Sequence, residues 1–158
     1  MSFLELVDVH THFPIRKGTF GGVTGLVRAV DGVSLRIEKG EILGLVGESG
    51  CGKSTLSRTI MQLQAATSGR ILLEGQNLST MNPRSIKRRR LDFQMVFQDP
   101  YASLNPRMTV YSTLAEALCQ RHPRLRRSRN KLTDKVTEVM ERVGLDSRYM
   151  RKYPHEFS

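Results

Sequence analysis

Gly47-Glu48-Ser49-Gly50-Cys51-Gly52-Lys53-Ser54-Thr55 matches the pattern G-x-x-x-x-G-K-[ST] at every fixed position. Gly47, Gly50 and Gly52 let the backbone turn tightly and aim successive N–H groups at phosphate oxygens. Lys53 adds a compact positive charge for β- and γ-phosphates, and the Ser54 hydroxyl is a ligand type that suits Mg²⁺. The apolar run Ile42-Leu43-Gly44-Leu45-Val46 leads into this loop and reads as a short buried strand. Leu56, Ile60 and Leu63 recur after it at helical spacing. Strand, loop and helix together predict phosphates seated on a helix N-terminus. The competing reading is a glycine-rich turn with an incidental lysine. Cys51, inside the loop, reads as a bystander lining the site rather than a nucleophile, since the sequence suggests no base for it.

The 158 residues are enough for one domain with a sizeable core. No stretch approaches the ~18 to 20 continuous apolar residues of a membrane span. Met1-Ser2-Phe3-Leu4-Glu5 does not read as a signal peptide. Cys51 and Cys119 are the only cysteines, which suits a reducing cytosol and suggests no disulfide framework. The formal charge of +10 is uneven: residues 1–80 carry eight Lys/Arg against seven Asp/Glu, and residues 81–158 carry seventeen against eight. Two basic runs, 84–90 and 121–131, dominate. They admit a nucleic-acid surface, a solvated basic face, or contact with anionic lipid. Aromatic residues are not interleaved with them to stack bases, which argues against nucleic acid.

Along the chain, residues 3–9 read as a first strand with partial alternation, 14–26 as a glycine-rich loop, and 27–30 as a second strand. Val33, Leu35 and Ile37 alternate as in a half-buried antiparallel strand. A further strand is expected at 70–74 between Gly69 and Gly75, and a basic helix at 83–90 with Pro83 at its first position. Residues 91–97 are strand-like and end at Gln98-Asp99-Pro100. Two apolar stripes predict helices: Val110, Leu114, Ala117 and Leu118, then Leu132, Val136, Val139, Met140 and Val143, the second closed by Gly144.

A phosphate loop alone does not choose between GTPases, kinases, helicases and transporter ATPases. A second stretch does: Met95-Val96-Phe97-Gln98-Asp99-Pro100-Tyr101-Ala102-Ser103-Leu104-Asn105-Pro106-Arg107-Met108-Thr109-Val110 closely resembles the Q-loop region of ATP-binding cassette (ABC) transporter ATPases, more narrowly those of oligopeptide and dipeptide importers. Phe13-Pro14-Ile15-Arg16, Ala29-Val30-Asp31-Gly32-Val33-Ser34 and the closing Tyr153-Pro154-His155-Glu156-Phe157-Ser158 agree. The resemblance implies an α/β fold: a P-loop NTPase core (41–100), an N-terminal antiparallel β subdomain (1–40) and a partial helical subdomain (101–158). It implies ATP and Mg²⁺ as ligands. Gly47, Glu48, Ser49, Gly50, Cys51, Gly52, Lys53, Ser54 and Thr55 would surround the phosphates. Phe13 would stack on adenine, or else be an ordinary strand-end aromatic, and Val30 would pack beside the base. Ser54 and Gln98 would reach the metal. The implied partners are transmembrane permease subunits, a second ABC ATPase subunit and, indirectly, a periplasmic or extracellular solute-binding protein, with no nucleic acid. The implied location is the cytoplasmic face of the plasma membrane.

The departure from the family lies at the end. There, Phe-Ser continues as Gly-Gly-Gln, followed by the Walker B aspartate, a catalytic glutamate and a switch histidine. None of these has a counterpart in the 158 residues. His10, His12, His122 and His155 hold no family position that would replace them. The expectation is therefore an N-terminal portion of an ABC ATPase that binds nucleotide without a catalytic base. The alternatives are a non-enzymatic nucleotide-binding or regulatory module, or a soluble ABC protein acting on nucleic acid.

Overall fold

The computed structural model describes residues 2–17, 22–99 and 103–157. The chain divides into two compact units, Met1–Met95 and Val96–Ser158. The first unit is built on a four-stranded antiparallel sheet of order β2-β1-β3-β4, with β1 at Ser2–Arg16, β2 at Val23–Glu38, β3 at Ser68–Leu73 and β4 at Gln76–Asn77. Helix α1 (Lys53–Ile60) and α2 (Pro83–Arg89) complete it. Leu4, Leu6, Val9, Val30, Leu56, Ile71, Leu73, Leu78 and Ile86 form the core.

The partial alternation of β1 has a local cause. Leu4 and Leu6 face the core, but so do Val9 and Thr11, which lie in the opposite phase of a straight strand. The pairing register slips between Leu6 and Val9, and Asp8 adopts φ 48°, so one extra residue is absorbed as a bulge. β3 crosses against this bulge through Gly69, at φ 90°, whose missing Cβ would otherwise collide with the Asp8 carbonyl. The phase change also turns His10 and His12 to the outer face together. There the hydrogen bond to Asp31 holds the His10 pKa above the ordinary histidine value, and the bonds from His10 and His12 hold Asp31 below the ordinary carboxylate value.

Thr11 and Thr59 are fully buried and tie β1 to α1. Thr59 Oγ1 donates to the Thr55 carbonyl at 2.8 Å, which leaves Thr11 Oγ1 as donor in the 3.0 Å bond between the two hydroxyls. Thr59→Val is expected to cost about 1–3 kcal/mol, because it strands a buried hydroxyl. Thr11→Val/Thr59→Val is expected to cost clearly less than the sum of the single changes, which urea unfolding of all four proteins will check. Additive costs would mean that the bond carries no coupling.

Several expectations are corrected. The hairpin is longer than the expected loop at 14–26 allows: Pro14 pairs with Leu26, Ile15 with Gly25 and Arg16 with Val23. β3 ends opposite His10, so β1 beyond it has one neighbouring strand only, which is where a proline is tolerated. Gly18, Gly21 and Pro100 lie outside the described residues. Residues 27–30 and 33–37 are one strand, β2. Residues 42–46 and 91–97 are not strands; among the described residues neither joins a ladder. An apolar run becomes a strand only where a neighbour takes its N–H and C=O groups. Ile42 is 97% and Val46 90% exposed. α1 buries Leu56 and Thr59, while Leu63 falls beyond its end and is exposed.

The second unit contains α3 (Val110–Arg121) and α4 (Arg129–Arg142), joined and followed by short 3-10 turns. Thr109 caps α3 by accepting the Ser112 N–H, and Gly144 at φ 72° follows the end of α4 as expected. Its buried residues are Cys119, Val136 and Met140; Val143 is exposed. An apolar groove of about 270 Å³ is lined by Leu104, Val110, Leu114, Leu145, Pro154 and Phe157.

Candidate nucleotide-phosphate site

Residues 47–52 lead from the exposed segment into α1, whose first residue is Lys53. The three glycines sit at φ 156° (Gly47), 83° (Gly50) and 96° (Gly52). Gly52 is the N-cap, with no side-chain hydrogen bond to the helix and no acidic residue in the first turn. Its backbone lies so close to β2 that a Cβ would run into the Ala29 carbonyl oxygen and reach Val30 Cγ2 at 3.9 Å. Leu56 N–H donates to the Gly52 carbonyl at 2.8 Å, starting the helix at this pinned point.

The Lys53 ammonium lies inside the loop. It donates to the Gly47 carbonyl at 2.8 Å and the Glu48 carbonyl at 2.6 Å, and lies 3.4 Å from Cys51 Sγ. Cys51 N–H donates to the Glu48 carbonyl at 3.3 Å, which closes the turn around the ammonium. Glu48, Ser49, Gly50, Cys51 and Ser54 are exposed, and Thr55 is half-buried. Chemically this is a concave run of backbone around one fixed charge at the positive end of a short helix, an arrangement suited to anions.

Val30 is buried at 4% exposure, with its Cγ2 3.9 Å from where a Cβ on Gly52 would stand. Phe13 is half-buried on β1, paired with Val27 of the same hairpin. Gln98 belongs to the second unit and is exposed. Sequence reasoning missed the Ala29–Gly52 approach and the Thr11–Thr59 bond, since nothing in either stretch announces a contact across the fold. It also passed over the outer-face grouping of His10, His12 and Asp31, for which the only signal is His-x-His within a strand.

The family model described as ABC transporter matches residues 30–158. The chain belongs to the ABC transporter family. Among relatives of this ABC chain, the oligopeptide transport ATP-binding protein AppF of Bacillus subtilis is 49% identical over 158 residues, covering 99% of this chain and 47% of its own length. OppF of Salmonella typhimurium is 47% identical over 98% of the chain and 46% of its own length. The dipeptide transport ATP-binding protein DppF of Escherichia coli is 41% identical over 98% and 45%. The ABC chain thus spans about half the length of the curated relatives it matches. In fold it is similar to the dimeric bacterial ABC transporter cassette MJ0796, with a TM-score of 0.74 at 21% identity over 98% of this chain and 63% of that one. The α/β cassette fold expected from the sequence is borne out.

Proposed function

We propose that this chain is the phosphate-binding portion of the ATP-binding subunit of an importer for peptides or related solutes. The observation that carries the reading is the loop wrapped around Lys53, pinned to β2 at Gly52. On binding, the ammonium exchanges the Gly47 and Glu48 carbonyls for β- and γ-phosphate oxygens, and the loop amides and first-turn N–H groups take the remaining oxygens. The names of the relatives, which transport oligopeptides or dipeptides, support the solute class.

Mg²⁺ is a hard cation that takes oxygen ligands, and the exposed Ser54 hydroxyl in the first turn of α1 fits that need. When bound, the ion would screen the phosphate charge. Gln98 would add its amide oxygen, Phe13 would stack on adenine, and Val30 would pack beside the base. The division into a β subdomain (1–40), core (41–100) and helical subdomain (101–158) belongs to the same proposal. So do transmembrane permease subunits docking on the helical unit, a second ATPase subunit, a solute-binding protein acting through the permease, and a place on the cytoplasmic face of the membrane. The apolar groove beside α3 supports the permease contact. Among the described residues no helix is long and apolar enough to cross a membrane.

The direct test of this reading is binding. Calorimetry with Mg·ATP, ADP and adenosine should show affinity falling in that order, since the phosphates carry the recognition. Equal affinity for adenosine would refute the phosphate assignment. Cys51 provides a second check. Cys51→Ser should bind within about twofold of the parent, because neutral backbone and Lys53 supply the recognition, whereas a bulky maleimide on this exposed thiol should block binding. A large loss in the serine variant would assign the thiol a direct role.

A further inference from the structure

We propose that His10, His12 and Asp31 form a binding site for a divalent transition-metal ion of the zinc class on the outer face of the β1–β2 hairpin. The site is independent of the nucleotide reading. Strand alternation sets the two imidazoles on one face of β1, and the bulge at Asp8 makes that face the outer one. Asp31, on β2, completes the set: its Oδ1 lies 2.8 Å from His10 Nδ1 and 3.0 Å from His12 Nε2. One donor atom from each residue falls within 4.8 Å of the others.

The surrounding bonds select the ligand atoms. His10 Nε2 lies 3.1 Å from Asp8 Oδ1, and the Gly32 nitrogen lies 3.1 Å from His10 Nδ1. At 2.8 Å, His10 Nδ1 and Asp31 Oδ1 share a proton in the metal-free protein. A metal ion would displace that proton and take the same two atoms, with Asp8 holding the far N–H. A carboxylate on the far nitrogen of a histidine ligand is the usual means of fixing its tautomer and raising its basicity. A tetrahedral ion with bonds of ~2.0–2.1 Å holds its ligands about 3.3 Å apart, so these pairs need only to open by a few tenths of an ångström. Two imidazoles and one carboxylate favour zinc, copper or nickel over Mg²⁺ and Ca²⁺, which prefer oxygen-only sets. The histidine side chains are 23% and 16% exposed and Asp31 43%, leaving a solvent side for entry and a water ligand. Arg28, 3.4 Å from Asp31 Oδ2, opposes a cation here.

The test is titration of the 158-residue chain with Zn²⁺ by calorimetry and with Co²⁺ by visible absorption. One equivalent is expected, with ligand-field bands and no thiolate charge-transfer band from Cys51 or Cys119. His10→Ala/His12→Ala should weaken binding by about 100-fold or more, and Asp31→Asn by about tenfold or more. His122→Ala/His155→Ala should change neither stoichiometry nor affinity. If the double alanine variant unfolds, His12→Gln, which keeps size and polarity, takes its place. Undiminished binding in these variants, loss in the His122/His155 variant, or a thiolate band would overturn the proposal.

Discussion

Replacing Lys53 by alanine is expected to weaken Mg·ATP binding about 100-fold or more, while leaving the unfolding transition where it is. The two halves of this expectation come from the same geometry. A charge-assisted hydrogen bond is worth ~1.5–3 kcal/mol, and each ~1.4 kcal/mol is a factor of ten in affinity. An ammonium that bridges two phosphates loses at least that when removed. The carbonyls of Gly47 and Glu48, its partners within the loop, belong to exposed residues, so water takes its place there. Calorimetry on the folded variant checks the first half, and thermal melting followed by circular dichroism checks the second. Affinity within threefold of the parent would remove Lys53 from the site.

Gly52→Ala should do the opposite and damage the scaffold itself. At φ 96° an alanine is strained by ~1–3 kcal/mol, and here its methyl group would also strike the Ala29 carbonyl, which a strand paired to β1 cannot easily withdraw. The start of α1 would have to lift from β2, disturbing Leu56 in the core beneath. We expect a loss of ~3 kcal/mol or more in unfolding free energy, with nucleotide binding lost alongside. Gly50→Ala is the informative companion. Its φ of 83° carries comparable strain, but nothing lies within 4 Å of the added methyl, so the cost should stay near ~1–2 kcal/mol. Equal costs at the two positions would mean that α1 tolerates displacement from the sheet.

The phosphate loop could be read from the sequence because its requirements are local: glycines where φ is positive, a lysine opening the helix and a hydroxyl beside it. The same holds for Pro83 at the start of α2, and for Gly144 after α4. What could not be read depends on partners far along the chain. Val30 carries no local mark of the close approach that Gly52 makes to β2 beside it. Thr59 is buried because its hydroxyl finds both Thr55 and Thr11, one of them 48 residues away. Residues 42–46 have the composition of a central strand, but their exposure follows from the lack of a ladder neighbour among the described residues, which no local pattern encodes. β1 was legible as a strand but not as a strand with two phases, since a bulge leaves its trace in pairing register rather than in composition.

That change of phase makes residue 8 the spare residue of β1. Deleting Asp8 would restore a straight pleat without moving any side chain to the other face: Leu4, Leu6, Val9 and Thr11 would follow one another inward in unbroken alternation, and His10 and His12 would stay outside. What would go is the left-handed turn at φ 48° and the carbonyl that Gly69 approaches so closely. Strands one residue shorter at this point would therefore keep every inward and outward position of β1 and release residue 69 from its need for glycine.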